Sequence, residues 1–546
     1  MSMMQHWTLK ITPLSPVHMG TGQDYSPTDY VIEDGVLYEF DALAAIQVLP
    51  AADRQQLNAL LERPPGERML LEIQSFFYRN RERLIPVSRR EVHVNPSVEA
   101  FYKERIGQVA QYEASGKAVQ NRLEIQRTAW SSATGASILP GSGLKGAIRT
   151  ALLDHLNQGR RLPPGIRSHQ QLQESLLQGT FSKDPLRMVR IGDACLTQNQ
   201  DFATEVRFAL NRKKHPVTGR GGTLVQSRAE QQGLYQLLEC LPWFVPRVFE
   251  GSLSVQERGG VRSDEWPDLS FSLDDIVSAC NRFYRGHLER ECRLMKAMGY
   301  LDDQWSSWME SLFSGPVGSA LEEGRAFLLR AGRHSGAESV TLSGVRSIKI
   351  MKGKGEQPDF MDEAKTLWLA ANERQARRQL LPFGWLLVEP YRDERDLPSW
   401  PANLANRDIA IWRRKTEQRK QVLWKILDES QARERERQRL ADQEAREAAL
   451  REARMAAMSE EERLIEALLT TLAQERTAGT LSPNSQVASD RVNLLRAALQ
   501  WESPELRRQA ANAIAETVRL LPWSKKSKPE RQGELALLRG ESTTST

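Results

Sequence analysis

The sequence predicts an α+β protein built from split βαββαβ units, followed by an all-α extension. Three observations predict it. Strand-like and helix-like stretches interleave between residues 7 and 390, with long insertions, as α+β units do. The one GxGxxG spacing, GSGLKG at residues 141–146, follows no run long enough to read as the strand of a dinucleotide-binding sheet, which sets that fold aside. Beyond residue 410 the strand pattern stops and charged, alanine-rich helical sequence takes over.

Taken in order, residues 7–13 (WTLKITP) alternate as a strand does. The turn from His18 to Gln23 is glycine-rich, and short strands follow at Tyr30–Ile32 and Val36–Phe40. Asp41 can cap a helix carrying Leu43, Ile46 and Val48. Residues 52–80 and 100–118 read as polar and mostly helical, and another helix starts within Pro140–Leu156. Later strands fall at Arg187–Gly192, Thr204–Leu210, Phe249–Val255, Ala326–Ala331, Ser347–Met351 and Trp385–Glu389.

The region Arg413–Arg454 is about half charged, and its apolar residues are sparse, alanine the commonest of them. Opposite charges three and four apart support a long solvated helix there, a spacer or a partner-binding coil. Some 35 residues at ~1.5 Å each would span about 50 Å. A compact helical module follows. Ser459 and Glu462 form a capping box, Gly479–Asn484 is a loop, and a third helix starts at Ser503–Pro504 and stops at Pro522. Residues 524–546 read as a flexible end.

Composition excludes several classes. No apolar run reaches the ~20 residues of a membrane helix. The start, MSMMQHWTLK, has no apolar signal-peptide core. Cys195, Cys240, Cys280 and Cys292 match no CxxC spacing and read as reduced thiols of a cytoplasmic protein. There is no HExxH and no Walker-type loop, and the sequence calls for no metal or cofactor. The net charge is +5. Residues 411–546 hold 25 basic and 21 acidic residues, which leaves 50 and 49 in residues 1–410. The body is therefore near neutral, and any affinity for nucleic acid must come from local clusters.

Three clusters stand out. In Pro140–Arg149 (PGSGLKGAIR), Ser142 can cap a helix whose N-terminus suits a phosphate, and Lys145 and Arg149 share one face four residues apart. Leu144, Ala147, Ile148, Ala151 and Leu152 form its apolar stripe, so an ordinary amphipathic helix after a turn is the plainer reading. The second cluster is Arg212, Lys213, Lys214 and His215, followed by Arg220 among glycines, read as a basic loop that can clamp a sugar–phosphate backbone. The third is Arg330–Lys354, with Arg333, His334, Arg346, Lys349, Lys352 and Lys354 interleaved with Gly332, Gly336 and Gly344. A solvated surface loop is the alternative for the second cluster, and aromatics are few within the third, so base stacking is not evident there. His18, Asp24, Asp29 and Asp34 cluster near the N-terminal turn, and His18, Asp24 and Asp29 are the candidates for general acid–base RNA cleavage, though aspartates also serve turns.

Segments in this order resemble a known family: TPLSPVHMGTG with DYSPTDYVIEDGVLYEFD, ILPGSGLKGAIRTALL, DPLRMVRIGDA, TGRGGTL, GRHSGAESVTLSGVRSIKIMKGKG, TLWLA and LPFGWLLVEP. The chain resembles RAMP-superfamily proteins of CRISPR effector complexes over roughly residues 7–390, and among them the fifth-subunit family of the Csm (type III-A) complex. The resemblance implies two ferredoxin-like (RRM-like) domains with insertions, 1–180 and 181–410. The charged helix 411–457, the helical module 458–525 and the tail 526–546 lie outside it. It implies a non-catalytic structural subunit that binds crRNA, caps the backbone filament at the crRNA 3′ end and takes part in crRNA maturation and antiviral defence. An RNA-cleaving RAMP endoribonuclease is the alternative. Implied partners are crRNA, target RNA, backbone RAMP subunits, a small helical subunit and host nucleases, with no membrane. The turn at Gly20 and Gly22, the helix start from Ser142 to Arg149 and the late glycine-rich segment would line the RNA path.

Overall fold

A computed structural model describes residues 4–64, 66–106, 111–112, 118–119, 123–197, 203–218, 224–231, 233–256, 266–351, 355–404 and 408–541. The chain divides into two compact units, Met1–Leu427 and Asp428–Thr546. Two sheets organise the first unit. The first runs in the order Phe327–Arg330, Trp385–Tyr391, Met4–Pro13, Phe249–Gln256, Ala194–Leu196, Ile138–Leu139, and Val189–Ile191 also pairs with Phe249–Gln256. The alternating segment at the N-terminus is a central strand of this sheet, with Leu9 opposite Gly251 on one side and Ile11 opposite Val388 on the other.

The second sheet runs Gly20–Asp24, Ile125–Thr128, Tyr235–Cys240, Glu205–Lys213, Arg90–Val94, Val36–Glu39, Tyr30–Glu33, with Thr366–Ala371 and Leu381–Pro382 attached through Glu205–Lys213. Each sheet takes strands from both sides of residue 180. Helices Gly141–Asn157 and Leu273–Ala297 pack on each other and into the core of the first sheet. That core joins Leu144, Ile148 and Leu152 to Leu9, Ile11 and Phe249. Tyr284 Oη donates to the Ala147 carbonyl at 2.9 Å, so the helix pair is also keyed by a buried polar contact.

Asp41 caps Ala42–Val48 as predicted, accepting from the Ala44 N–H. Residues 100–118 are mostly not helical where described. The helix there is Pro96–Lys103, capped by Asn95, and two-residue strands follow at Gln111–Tyr112 and Ala118–Val119. The charged helix spans Asp408–Ala457. Its start lies against the second sheet, where Trp412 Nε1 donates to the Gly35 carbonyl at 3.0 Å and Lys420 Nζ to the Ser88 carbonyl at 2.8 Å.

The second unit has its own core, built from Leu468, Leu472, Leu494, Leu495 and Ile514. Helices Glu460–Ala478 and Pro504–Leu520 start where the capping residues Ser459 and Ser503 predict, and Gln486–Ala498 lies between them in sequence. The predicted flexible tail is corrected. Lys528–Arg539 is a helix with Gly540 as its left-handed cap. Leu538 is buried in the module core with Leu535 packed against it, so the apolar run Leu535–Leu538 is the signal for this helix.

Candidate nucleic-acid interface

The glycine-led helix begins at Gly141, with Pro140 as its cap and no side-chain cap bond. Ser142 is therefore inside the helix and exposed, and its predicted capping role is taken over by Asp193, whose Oδ1 accepts from the Gly141 N–H at 2.7 Å. Glycine is required at 141 by close approach. A Cβ there would run into the Ile191 carbonyl and lie 2.7 Å from the Gly192 carbonyl carbon. The Gly143 and Leu144 N–H groups both donate to the Pro140 carbonyl, so this N-terminus is largely satisfied within the protein. What it presents is Lys145, half-buried, with no hydrogen bond or ion pair among the described residues. Burial lowers its ammonium pKa, Asp184 opposes that shift and Arg149 adds to it. Arg149 is committed elsewhere, to Asp184 Oδ2 at 2.6 Å and to Gln173 Oε1 at 3.1 and 3.0 Å. The expected Lys145–Arg149 phosphate pair is thus reduced to Lys145, because a neighbouring carboxylate and amide hold the guanidinium.

The three glycine-containing segments meet around His18 and Met19. The Arg333 N–H donates to the His18 carbonyl at 2.9 Å. Gly332 has φ +87°, and a Cβ there would lie 2.5 Å from the His18 carbonyl oxygen and 3.1 Å from Met19 Sδ. A Cβ on Gly143 would lie 2.5 Å from Met19 Cε. Met19 therefore sits between the helix start and the late glycine turn. Gly20 and Gly22 follow on the exposed strand Gly20–Asp24, and the Arg333 side chain is exposed with no partner among the described residues.

His18 itself is buried. Its Nδ1 donates to the Glu239 carbonyl at 2.7 Å, and its Nε2 is enclosed without a partner. Burial lowers its pKa, the Glu239 carbonyl opposes this, and Arg333 reinforces it. An enclosed neutral imidazole cannot reach a scissile phosphate from this position. Asp29 serves a turn, accepting from Thr28 Oγ1 at 2.9 Å, and Asp24 ends the exposed strand. Beneath this junction lies a polar core. Glu239, fully buried, pairs with Arg90 and accepts from Thr204 Oγ1 at 2.8 Å and the Thr128 N–H at 3.1 Å. These bonds tie Tyr235–Cys240, whose Glu239 carbonyl holds His18, to Arg90–Val94 and to Ile125–Thr128, the strand that pairs with Gly20–Asp24.

The second cluster is not a loop up to Lys213. Strand Glu205–Lys213 continues through it, paired with Thr366–Ala371. Arg212 is buried, donating to the Ala376 carbonyl at 2.5 Å and the Asn211 carbonyl at 2.9 Å. Lys214 is buried against Glu338 at 2.6 Å. Lys213 and His215 carry no side-chain partner among the described residues. Arg220, Lys352 and Lys354 lie outside the described residues.

In the third cluster, His334 Nε2 meets Gln236 Oε1 at 2.8 Å, and the ring stacks on Trp368 at 4.5 Å and 17°. Arg346 Nε donates to Thr341 Oγ1 at 2.8 Å. Lys349 is exposed on a separate two-stranded hairpin, Ile348–Ile350 with Asp359–Met361. Lys214, His334 and Arg346 share one cavity of about 560 Å³.

The sequence reading missed Asp193, Asp184, Glu239, Arg90 and Trp368. Glu239 carried a signal, a lone acid inside the apolar strand segment YQLLEC, which predicts a buried paired charge. Among the described residues no group of three or more His, Cys, Asp or Glu could hold a metal, and none of the helices is long and apolar enough to cross a membrane.

An α+β body with two multi-stranded sheets, a glycine junction and two cations beside it, Lys145 and Arg333, defines a class. The chain matches the RAMP superfamily over residues 10–301. That is more than half of its 546 residues, and the chain belongs to this superfamily. Among solved structures it is similar to a chain of a Csm-crRNA-target RNA ternary complex of a type III-A CRISPR-Cas system. The TM-score is 0.41 and the identity 16%, with 71% of this chain and 100% of that chain covered. It is also similar to Csm5 of T. onnurineus, with a TM-score of 0.39, 16% identity and coverage of 69% and 99%. No curated protein matches the chain.

Proposed function

We propose that this chain is a crRNA-binding structural subunit of a type III CRISPR ribonucleoprotein effector. In this reading it caps the backbone filament at the crRNA 3′ end and contributes to crRNA maturation and antiviral defence. Backbone RAMP subunits, a small helical subunit, target RNA and host nucleases are its partners in the cytoplasm. Membership of the RAMP superfamily supports the reading, as does the order of the segments shared with the Csm fifth-subunit family. The observation that carries it is the meeting of three separate glycine segments at Met19, with Lys145 on one side and Arg333 on the other. Glycines let a backbone approach, and unpaired cations can neutralise phosphates without breaking a native ion pair.

The test is binding of single-stranded RNA across a salt titration, comparing wild type with the Lys145→Glu/Arg333→Glu double variant. Each lost phosphate contact should flatten the log–log salt slope by about 0.7, so two should flatten it by about 1.4. Affinity should fall at least tenfold with little change in sequence preference. Equal affinity and equal slope in the two proteins would sink the assignment. Cleavage of labelled RNA that disappears in His18→Ala, Asp24→Ala or Asp29→Ala, with binding retained, would favour the endoribonuclease reading instead.

A further inference from the structure

The cavity of about 560 Å³ beside the glycine junction is built for more than a phosphate. Its volume falls in the range of small-molecule sites, about 300–1,000 Å³. It adjoins the junction through His334, which directly follows Gly332 and Arg333. One wall is apolar and aromatic, with Leu294, Leu367 and Trp368, and His334 braces the Trp368 ring by stacking.

The charges inside are largely matched. Lys214 pairs with Glu338 at 2.6 Å and Arg330 with Glu291 at 2.7 Å. Trp385 Nε1 donates to the other Glu291 oxygen at 2.9 Å. A bare anion therefore finds little free positive charge deep in the cavity. Two lining groups differ. Arg290 is exposed, donates to His287 Nδ1 at 3.1 Å and has no carboxylate partner among the described residues. His215 is exposed and unpartnered among the described residues. The accepting Nδ1 of His287 leaves its proton on Nε2, so this ring offers a neutral donor rather than a charge.

A flat wall, polar groups beyond it and, in Arg290, an exposed cation with no carboxylate partner among the described residues fit a flat heterocycle that carries an anion. We infer that this cavity receives one nucleotide, its base against Trp368 and Leu367 and its phosphate near Arg290. This rests on the RNA-binding reading and deepens it. Continuity with the junction favours a nucleotide of the bound strand turned out of the path, at the cost of one base's stacking on its neighbours. A free mononucleotide has the same chemistry and is the second source.

The experiment uses the full chain and single-stranded RNA oligonucleotides with 2-aminopurine at successive positions. One position should change fluorescence on binding, and Trp368→Leu should abolish that change. Trp368→Leu and an abasic substitution at that position should each weaken binding about tenfold, and together no more than either alone. Arg290→Glu, at an exposed site, should weaken the same complex and leave complexes with the abasic oligonucleotide unchanged. A second arm titrates adenosine monophosphate against tryptophan fluorescence. Quenching that needs Trp368, with no position-dependent signal in RNA, would assign the cavity to a free nucleotide. No position-dependent signal and no quenching, in a chain that binds RNA, overturns this inference alone. A chain that binds adenosine monophosphate but no RNA overturns the function reading and leaves the cavity assignment standing. A chain that binds neither overturns both.

Discussion

Single residues set the geometry of the junction. Gly141 lets the helix start press against the Ile191–Gly192 backbone, and Asp193 then reaches its N–H. Gly141→Ala places a methyl group where backbone atoms already stand. The expected cost is roughly 1–3 kcal/mol, read as a lower urea midpoint. An unchanged midpoint would mean that the contact is slack. His287 gives a pH prediction. Burial first, then Arg290, Arg346 and Arg330, push its imidazole down to about 3, from an ordinary value of 6.5. Between those values the unfolded chain holds a proton that the folded chain does not. Stability is therefore full above pH 6.5 and falls as pH falls toward 3. At pH 5 the loss from this residue is about 2 kcal/mol. Comparing urea midpoints at pH 7.5 and 5 for wild type and His287→Asn checks it, since the variant should lose less. An equal drop in both would place the acid sensitivity elsewhere.

At the scale of elements, the start of the charged helix is anchored and not merely solvated. Trp412 donates to the Gly35 carbonyl and packs edge-on to His93 at 5.2 Å, and Leu427 is buried with residues of the second sheet's outer strands. Trp412→Ala should cost about 2 kcal/mol, below the range for a fully buried tryptophan. Hydrogen exchange of the amides from Trp412 to Leu427 should quicken, and unchanged protection would count against the anchor. Much of this level was legible in the sequence. Alternation marked the strand at 7–13, a strand-sized apolar run marked the one at 385–389, and capping residues marked Ala42–Val48 and Glu460–Ala478. The strand through Asn211–Lys213 was not legible, because its polar residues are matched by distant ones. Glu338, 124 positions away, neutralises Lys214, and the Ala376 carbonyl takes Arg212. The glycine segments announced a close backbone approach. What they approach, and which cations stay free, depended on contacts such as Arg149–Asp184 that spacing does not encode.

For the whole molecule, the two units have separate cores, and the proposed functional surface lies within residues 1–427. Net charge is a poor guide at this scale. The excess of +5 sits mostly beyond residue 410, while the near-neutral body carries the junction and the cavity. The central claim is that RNA runs over the place where the three glycine segments meet. It is tested most directly by assembling the full chain with crRNA carrying 4-thiouridine, crosslinking with long-wavelength light and sequencing the crosslinked peptides. The account predicts crosslinks in the peptides containing Met19–Gly22, Ser142–Lys145 and Gly332–Arg333. Crosslinks confined to residues 428–546 would contradict it.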